Sequence, residues 1–232
     1  MPGKTACLNG ISSMATRQVL AELATAAAGA VGQALDLESV GGVDAERRVA
    51  AGEPLDLVFL ASGAIERLQA AGHVLAGSRV DLMRSHIWMA VREGAPVPPL
   101  GDEAQVREAV LRAASIGYST GPSGTYLAGL FQRWGIHEEV ERRLVKPPPG
   151  VPVGALIARG EVELGFQQRS ELVGLHGVNA IGPLPGPIQH PTVFSGAVCA
   201  TSTRPQDAAR LLRFLACEQA QTIKQAHGME PA

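Results

Sequence analysis

Short apolar runs, each followed by a stretch with helical periodicity, recur along the whole of this chain. "TACLNG" (5–10), "QALDLES" (33–39) and "LDLVFLA" (55–61) read as strands, and "SSMATRQVLAELATAAAG" (12–29), "DAERRVAAG" (44–52) and "SGAIERLQAAG" (62–72) as the helices that follow them. In the first helix Val19, Leu20, Leu23 and Ala27 share one face and Gly29 is the expected stop; Asp44 opens the second and Gly52 closes it. A βαβαβα order leaves few folds open. Parallel neighbours need crossovers, the crossovers are helices, and those helices must cover a buried sheet.

The middle of the chain keeps the rhythm with longer pieces. "SHIWMAVRE" (85–93) reads as a strand and the proline-rich "GAPVPPLG" as a loop, before a helix over 102–114 capped by Asp102. "SIGYS" is the next strand, and a helix then runs to Trp134 and stops at Gly135. "HEEVERRL" reads as a short helix and "KPPPG" (146–150) as a turn-rich connector. A helix over 152–160, the strand "VELGF" (162–166) and a helical turn at "RSELVG" follow. "NAIGPLP" and "TVFSGAVCAT" (192–201) read as strands, and 203–226 as a final helix with Thr203 as cap and Pro205 in its first turn.

Composition removes several functions. The chain has 232 residues, 46% hydrophobic and 18% charged, which suits one large domain or two small lobes with a real core. Aromatic residues are only 4%, too few for base-stacking platforms, and a net charge of −2 without a basic block gives no footprint for nucleic acid. No apolar run approaches the ~20 residues that cross a bilayer, so membrane insertion is not expected. "MPGKTACLNG" shows no secretory leader, so the expectation divides between a cytoplasmic protein and an exported one whose signal has been removed. Cys7, Cys199 and Cys217 are odd in number and lack a C-x-x-C spacing, which argues against a disulfide framework or a zinc site and for three small buried residues. No cofactor signature is present, and no Walker-type G-x-x-x-x-G-K-[ST] loop.

In open α/β sheets ligands lie beyond the carboxyl ends of strands, where helix N-termini offer unpaired N–H groups and partial positive charge to anions. Four junctions here carry small hydroxylic or glycine residues. They are Ser12 and Ser13 in "NGISSMAT", Ser62 and Gly63 in "LASGAIERL", Ser119 to Thr125 in "STGPSGTY", and Val153 and Gly154 in "PPGVPVGAL". The same residue types are also ordinary helix caps, so a shared ligand requires the fold to bring the junctions together.

The order of these pieces resembles the type 2 periplasmic-binding-protein superfamily, most closely the molybdate-binding components of ABC transporters. The matching stretches are "NGISSMATRQVLAEL", "GEPLDLVFLASGAIERLQAAG", "GPSGTYLAGLFQRWGI" and "GALIARGEVELGFQQRSEL", spread over nearly the whole chain. The resemblance implies two Rossmann-like α/β lobes with mixed, mostly parallel sheets, joined by two crossovers, with the ligand in a cleft that closes by hinge motion. The first lobe would hold 1–83 and 195–232 and the second 84–194. By position, the anion ligands would be Ser12, Ser13, Ser62, Ser123, Gly124, Thr125, Val153 and Gly154, facing one another across that cleft.

One departure changes the chemistry. Where many molybdate binders have a tyrosine, this chain has Gln168, followed by Arg169. A molybdate-type site is a cage of neutral donors, whereas a guanidinium favours planar, bidentate carboxylates. Arg169 also fits a solvated helix start. Arg84, His86 and His190 lie near the two crossovers, and Arg17 one turn into the first helix; His86 and His190 are the candidates for moving a proton.

Three functions follow. The first is a binding protein for a small anion, a molybdate-like oxyanion or an organic carboxylate, serving ABC transporter membrane subunits from the periplasm. The second is an enzyme on the same scaffold, similar to aconitate isomerase, which moves a proton along an unsaturated tricarboxylate and needs one group with a pKa near the working pH. The third, an effector domain of a transcription regulator, would place a helix-turn-helix before the first strand, where only about four residues stand. Binding is the commonest use of this scaffold and is the expectation taken forward, with isomerisation as the alternative.

Overall fold

The computed structural model describes residues 7–148 and 150–232. Residues 5 and 6 of the first expected strand, and Pro149 of the expected connector, lie outside the described residues. The chain divides into two α/β units, Met1–Arg84 with Val193–Ala232 and Ser85–Thr192, and it passes between them at 84–85 and 192–193.

The first unit opens with β1 (Leu8–Ser13), a 3-10 turn at Met14–Thr16 and α1 (Arg17–Val31). Then follow β2 (Leu35–Val40), α2 (Gly42–Ala50), β3 (Leu57–Ala61), α3 (Ser62–Ala70) and β4 (Val80–Ser85). The second unit runs through β5 (Ile87–Arg92), α4 (Glu103–Arg112), β6 (Ile116–Tyr118), α5 (Pro122–Arg133), α6 (His137–Val140) and β7 (Leu144–Val145). It continues with α7 (Val153–Ala158), β8 (Leu164–Gln168), α8 (Arg169–Leu172) and β9 (Val178–Pro183). The chain then completes the first unit with β10 (Thr192–Val198), α9 (Pro205–Ala216), α10 (Gln221–Ala226) and β11 (Glu230–Pro231).

The first sheet has the order β11-β4-β10-β3-β1-β2, and the second β7-β6-β8-β5-β9. In the first, β1 is parallel to both β2 and β3, and β10 is antiparallel to β3. In the second, β6 is parallel to β7 and β8, while β5 is antiparallel to β8 and β9. The carboxyl ends of β1, β2 and β3 therefore share one edge of their sheet, and those of β6, β7, β8 and β9 share one edge of theirs.

Each sheet is covered on both faces. α1 and α9 bury Leu20, Leu23, Leu211 and Leu215 with Phe59 on one face of the first sheet, and Ala45, Ile65 and Leu68 of α2 and α3 pack with Ile11 and Val58 on the other. In the second, α4 and α5 pack Val110, Leu130 and Phe131 on Phe166, and α7 packs Leu156 and Ile157 opposite. Gly117 and Gly165 face each other across β6 and β8. A Cβ would stand 2.8 Å from Val153 at Gly117 and 2.4 Å from Ile157 at Gly165, so these two bare backbones let α7 settle on the sheet.

Several sequence expectations are corrected. Ser12 and Ser13 end a strand rather than open a helix, because β2 and β3 supply ladder partners on both sides as far as Ser12. α1 continues past Gly29 to Val31 and stops at left-handed Gly32. Gly41, not Asp44, precedes α2. β4, β7 and β11 are strands that the sequence pattern does not announce, and 203–226 breaks into α9, a 3-10 turn at Glu218–Ala220 and α10, with Arg204 rather than Thr203 at the start. Only Cys199 of the three cysteines is buried; Cys7 is exposed and Cys217 half-buried. The Asp102 cap and the Gly135 stop stand as read: Asp102 accepts from the Gln105 amide at 2.8 Å, and Gly135 has φ 68°.

Lys224 is a further surprise in the first unit. Its side chain is fully buried, Nζ donates to the Leu82 carbonyl at 2.8 Å, and burial pushes its pKa down. Among the described residues no helix is long and apolar enough to cross a membrane.

Candidate functional site

Six helices begin at the two carboxyl edges: α1, α2 and α3 in the first unit, α5, α7 and α8 in the second. In none of the six does the N-cap residue's own side chain hydrogen-bond to the first turn. The serines there are thus not ordinary caps. α4, which starts at the opposite edge, is capped by Asp102. First-turn N–H groups left without a side-chain acceptor are what an anion can use.

In the first unit the strand ends bring Ser12, Ser13 and Ser39 together. Ser12 pairs in register with Ser39, and their hydroxyls meet at 2.7 Å. The Ser13 hydroxyl points the other way, is buried, and has no hydrogen-bond partner among the described residues. A buried hydroxyl without a partner is costly, and a ligand that supplies one removes the cost. Gly42, in the first turn of α2, lies beside Ser13, where a Cβ would stand 3.7 Å from the Ser13 Cβ. Ser62 is half-buried as the first residue of α3. Arg17 is exposed at the start of α1, and Arg84 is bound to Glu230 at 3.1 Å.

In the second unit Ser119 and Ser123 join hydroxyls at 2.9 Å, which folds the loop after β6 back over the start of α5. Gly124 sits under that loop. A Cβ there would be 1.6 Å from the Ser119 carbonyl oxygen, so no other residue fits without moving backbone. Thr125 is exposed, and its N–H closes on the Gly121 carbonyl at 3.1 Å. His190 stacks on Tyr126 with ring centroids 4.7 Å apart, and its N–H is held by the Gln189 side chain at 3.0 Å. The carbonyl of His86 accepts the Arg169 N–H at 3.0 Å.

The segment Gln167–Glu171, at the end of β8 and in α8, is the densest polar feature of this edge. Gln168 and Ser170 are both more than nine-tenths buried, and Gln168 Oε1 and Ser170 Oγ have no hydrogen-bond partner among the described residues. Gln168 Nε2 donates to Thr192 at 2.7 Å, which fixes the amide and leaves its oxygen as the open group. The Arg169 guanidinium lies 5.1 Å from the centre of the Trp88 ring, and no carboxylate among the described residues pairs with it. Gly154 is corrected as a free donor. Its N–H is held by Gln167 Oε1 at 3.0 Å, so Val153, which opens α7, carries what its junction can offer.

Glu171 was missed in the sequence. Its Oε1 accepts from Gln167 Nε2 at 2.9 Å, the same amide whose oxygen holds Gly154. The residue keeps some contact with solvent, yet burial of the carboxyl lifts its pKa from 4.5 to about 7, with the Gln167 hydrogen bond opposing. The folded pKa lies above the unfolded one. The stability this group confers is therefore full below pH 4.5 and is lost as pH rises through about 7. Glu171→Gln is expected to match the parent protein near pH 4.5 and to exceed it at pH 8 by at most about 3 kcal/mol. Urea melts at the two pH values read this directly, and equal stability at both would remove the desolvated carboxyl from the description. Among the described residues no cluster of His, Cys, Asp and Glu is placed to hold a metal ion.

Known proteins match this chain over most of its length. A curated aconitate isomerase from Pseudomonas sp. is 39% identical over 187 residues, covering 79% of this chain and 70% of that protein. The periplasmic molybdate-binding protein of Azotobacter vinelandii superposes with a TM-score of 0.78 at 20% identity, covering 96% of this chain and 98% of the other. The sulfate-binding protein SubI of Mycobacterium tuberculosis gives 0.79 at 19%, over 98% and 87%. At those identities the two structures establish the fold, a two-lobed α/β architecture like theirs. The family profile described as bacterial extracellular solute-binding protein matches residues 8–230, and the chain belongs to that family.

Proposed function

We propose that the protein captures a small organic polycarboxylate and that Arg169 is its principal ligand. The observation that carries this reading is the Arg169 guanidinium, which lies over Trp88 and has no carboxylate partner among the described residues. A planar fork of donors with no internal carboxylate matches a carboxylate better than a tetrahedral oxyanion held by neutral groups. Within the same unit, Ser123, Gly124, Thr125, Val153 and Gln168 are its further ligands. Within its family such a protein works in the periplasm and hands its ligand to the membrane subunits of an ABC transporter.

A second reading has its own support. The 39% identity to a protein named aconitate isomerase favours a site that moves a proton on the anion it holds. His86 and His190 are the residues the sequence offers for that step. Thermal-shift measurements with molybdate, tungstate, sulfate, citrate, cis-aconitate and trans-aconitate test the first reading, since specific binding raises the melting temperature by mass action. Stabilisation by the polycarboxylates is expected. Stabilisation by molybdate alone would reject the carboxylate site. NMR of bound aconitate in deuterated water then separates transport from catalysis: isomerisation or exchange supports the enzyme, and unchanged ligand rejects it.

A further inference from the structure

We propose that Glu171 is the acid–base group of this site, taking the allylic proton of a bound unsaturated polycarboxylate and returning it to the far carbon of the shifted double bond. This rests on the isomerase reading above.

Glu171 lies in α8, two residues beyond Arg169, at the edge where Gln168 and Ser170 present unpartnered buried oxygens. Its carboxyl is fixed by Gln167, whose amide bridges it to the Gly154 N–H at 2.9 and 3.0 Å. A carboxyl pinned in this way at a ligand edge is oriented before any substrate arrives.

β5, β8 and β9 pack on α8, and α7 lies against it, where a Cβ on Gly154 would stand 3.4 Å from Leu172. Their sequences carry one titratable side chain, Arg92, at the far end of β5, where it lies 3.7 Å from a Cβ built on Gly160. Near α8, His86 offers its carbonyl to the Arg169 N–H, and His176 is exposed in the following loop. Arg169 itself lies over Trp88. Among the described residues no cation pairs with the Glu171 carboxyl, and its pKa of about 7 places both protonation states within reach at neutral pH. His190, by contrast, is exposed and stacked on Tyr126.

The step balances without a redox partner. The Glu171 carboxylate removes a proton from the methylene carbon between a carboxylate and the alkene. The C–H pair becomes the new double bond, and the old π pair moves toward the far carbon, leaving an extended anion whose charge spreads into the substrate carboxylate. Arg169 stabilises that developing charge. The protonated Glu171 then returns its proton to the far carbon, and the carboxylate is regenerated.

The test uses the whole protein with cis- and trans-aconitate. Glu171→Gln is expected to keep the thermal shift and to lose at least about 100-fold in isomerisation. Glu171→Asp should recover part of the rate. The limb of the kcat/KM profile near pH 7 should disappear in the Gln variant, which a merely structural role would not cause. Because one carboxyl serves both carbons, wild-type product formed in deuterated water should retain part of the original proton. If Glu171→Gln isomerises at the wild-type rate, or if only His86→Gln or His190→Gln removes activity, Glu171 is not the proton carrier although the function stands. If wild-type protein binds aconitate without converting it, the isomerase reading and this assignment fall together. If it binds no polycarboxylate at all, the carboxylate site is wrong.

Discussion

Gly124→Ala is expected to destabilise the protein by about 3 kcal/mol and to abolish tight anion binding, whereas Gly129→Ala, five residues along the same helix, is expected to stabilise it by about 0.5–1 kcal/mol. Both glycines lie in α5, so the intrinsic gain in helix propensity is the same. The difference lies in their surroundings. At Gly129 a Cβ meets nothing within 4 Å, while at Gly124 it would sit 1.6 Å from the Ser119 carbonyl oxygen, with the Tyr118 ring 3.0 Å away. Ser119 is held by its hydroxyl contact to Ser123, so making room means breaking that contact and lifting the loop off the first turn of α5. The N–H groups that would meet an anion move with it. Denaturant melts of the two variants, with calorimetry of the folded fraction, measure both effects. Equal stabilities would show that the loop does not lie as close to the helix as described.

The strand–helix alternation made both sheets legible, because buried parallel strands such as Leu57–Ala61 are apolar on both faces and stand out from their neighbours. Edges and long-range partners were harder. β4 was missed since "VDLMRS" mixes charge into a short run, and its Asp81 is explained only by Arg79 at 2.9 Å and by Ser195, more than a hundred residues away, at 2.6 Å. Ser12 and Ser13 looked like helix caps because small hydroxylic residues serve there, yet β2 and β3 kept them in the sheet. Lys224 sits in a helical stretch where lysine ordinarily faces water. At the site, Arg169 was visible as a charge where the family pattern has none. Glu171 was not visible, because an acid in the first turn of a helix reads as a solvated partner of the helix dipole. Its burial is tertiary, made by Gln167 from β8 and by α7 settling onto Gly117 and Gly165.

Arg169→Ala is expected to weaken cis- and trans-aconitate binding by at least about 100-fold, and Arg169→Lys to recover little of it. The guanidinium makes no ion pair among the described residues, so its removal leaves no buried carboxylate unpaired and the unliganded melting temperature should hardly change. Lysine keeps the charge but not the two parallel N–H donors, and it loses the flat contact with Trp88. Trp88→Leu isolates that contact: a cation–π interaction of about 0.5–1 kcal/mol predicts a two- to five-fold loss of affinity with Arg169 intact. Titration calorimetry of the three variants should therefore rank them Trp88→Leu, Arg169→Lys and Arg169→Ala in order of increasing loss. Molybdate supplies the opposing case. A tetrahedral oxyanion held by hydroxyls and amides gains little from a planar fork, so any molybdate affinity should fall far less in Arg169→Ala. If Arg169→Ala binds the polycarboxylates as the parent does, the guanidinium faces away from the ligand and Arg169 is not its principal ligand.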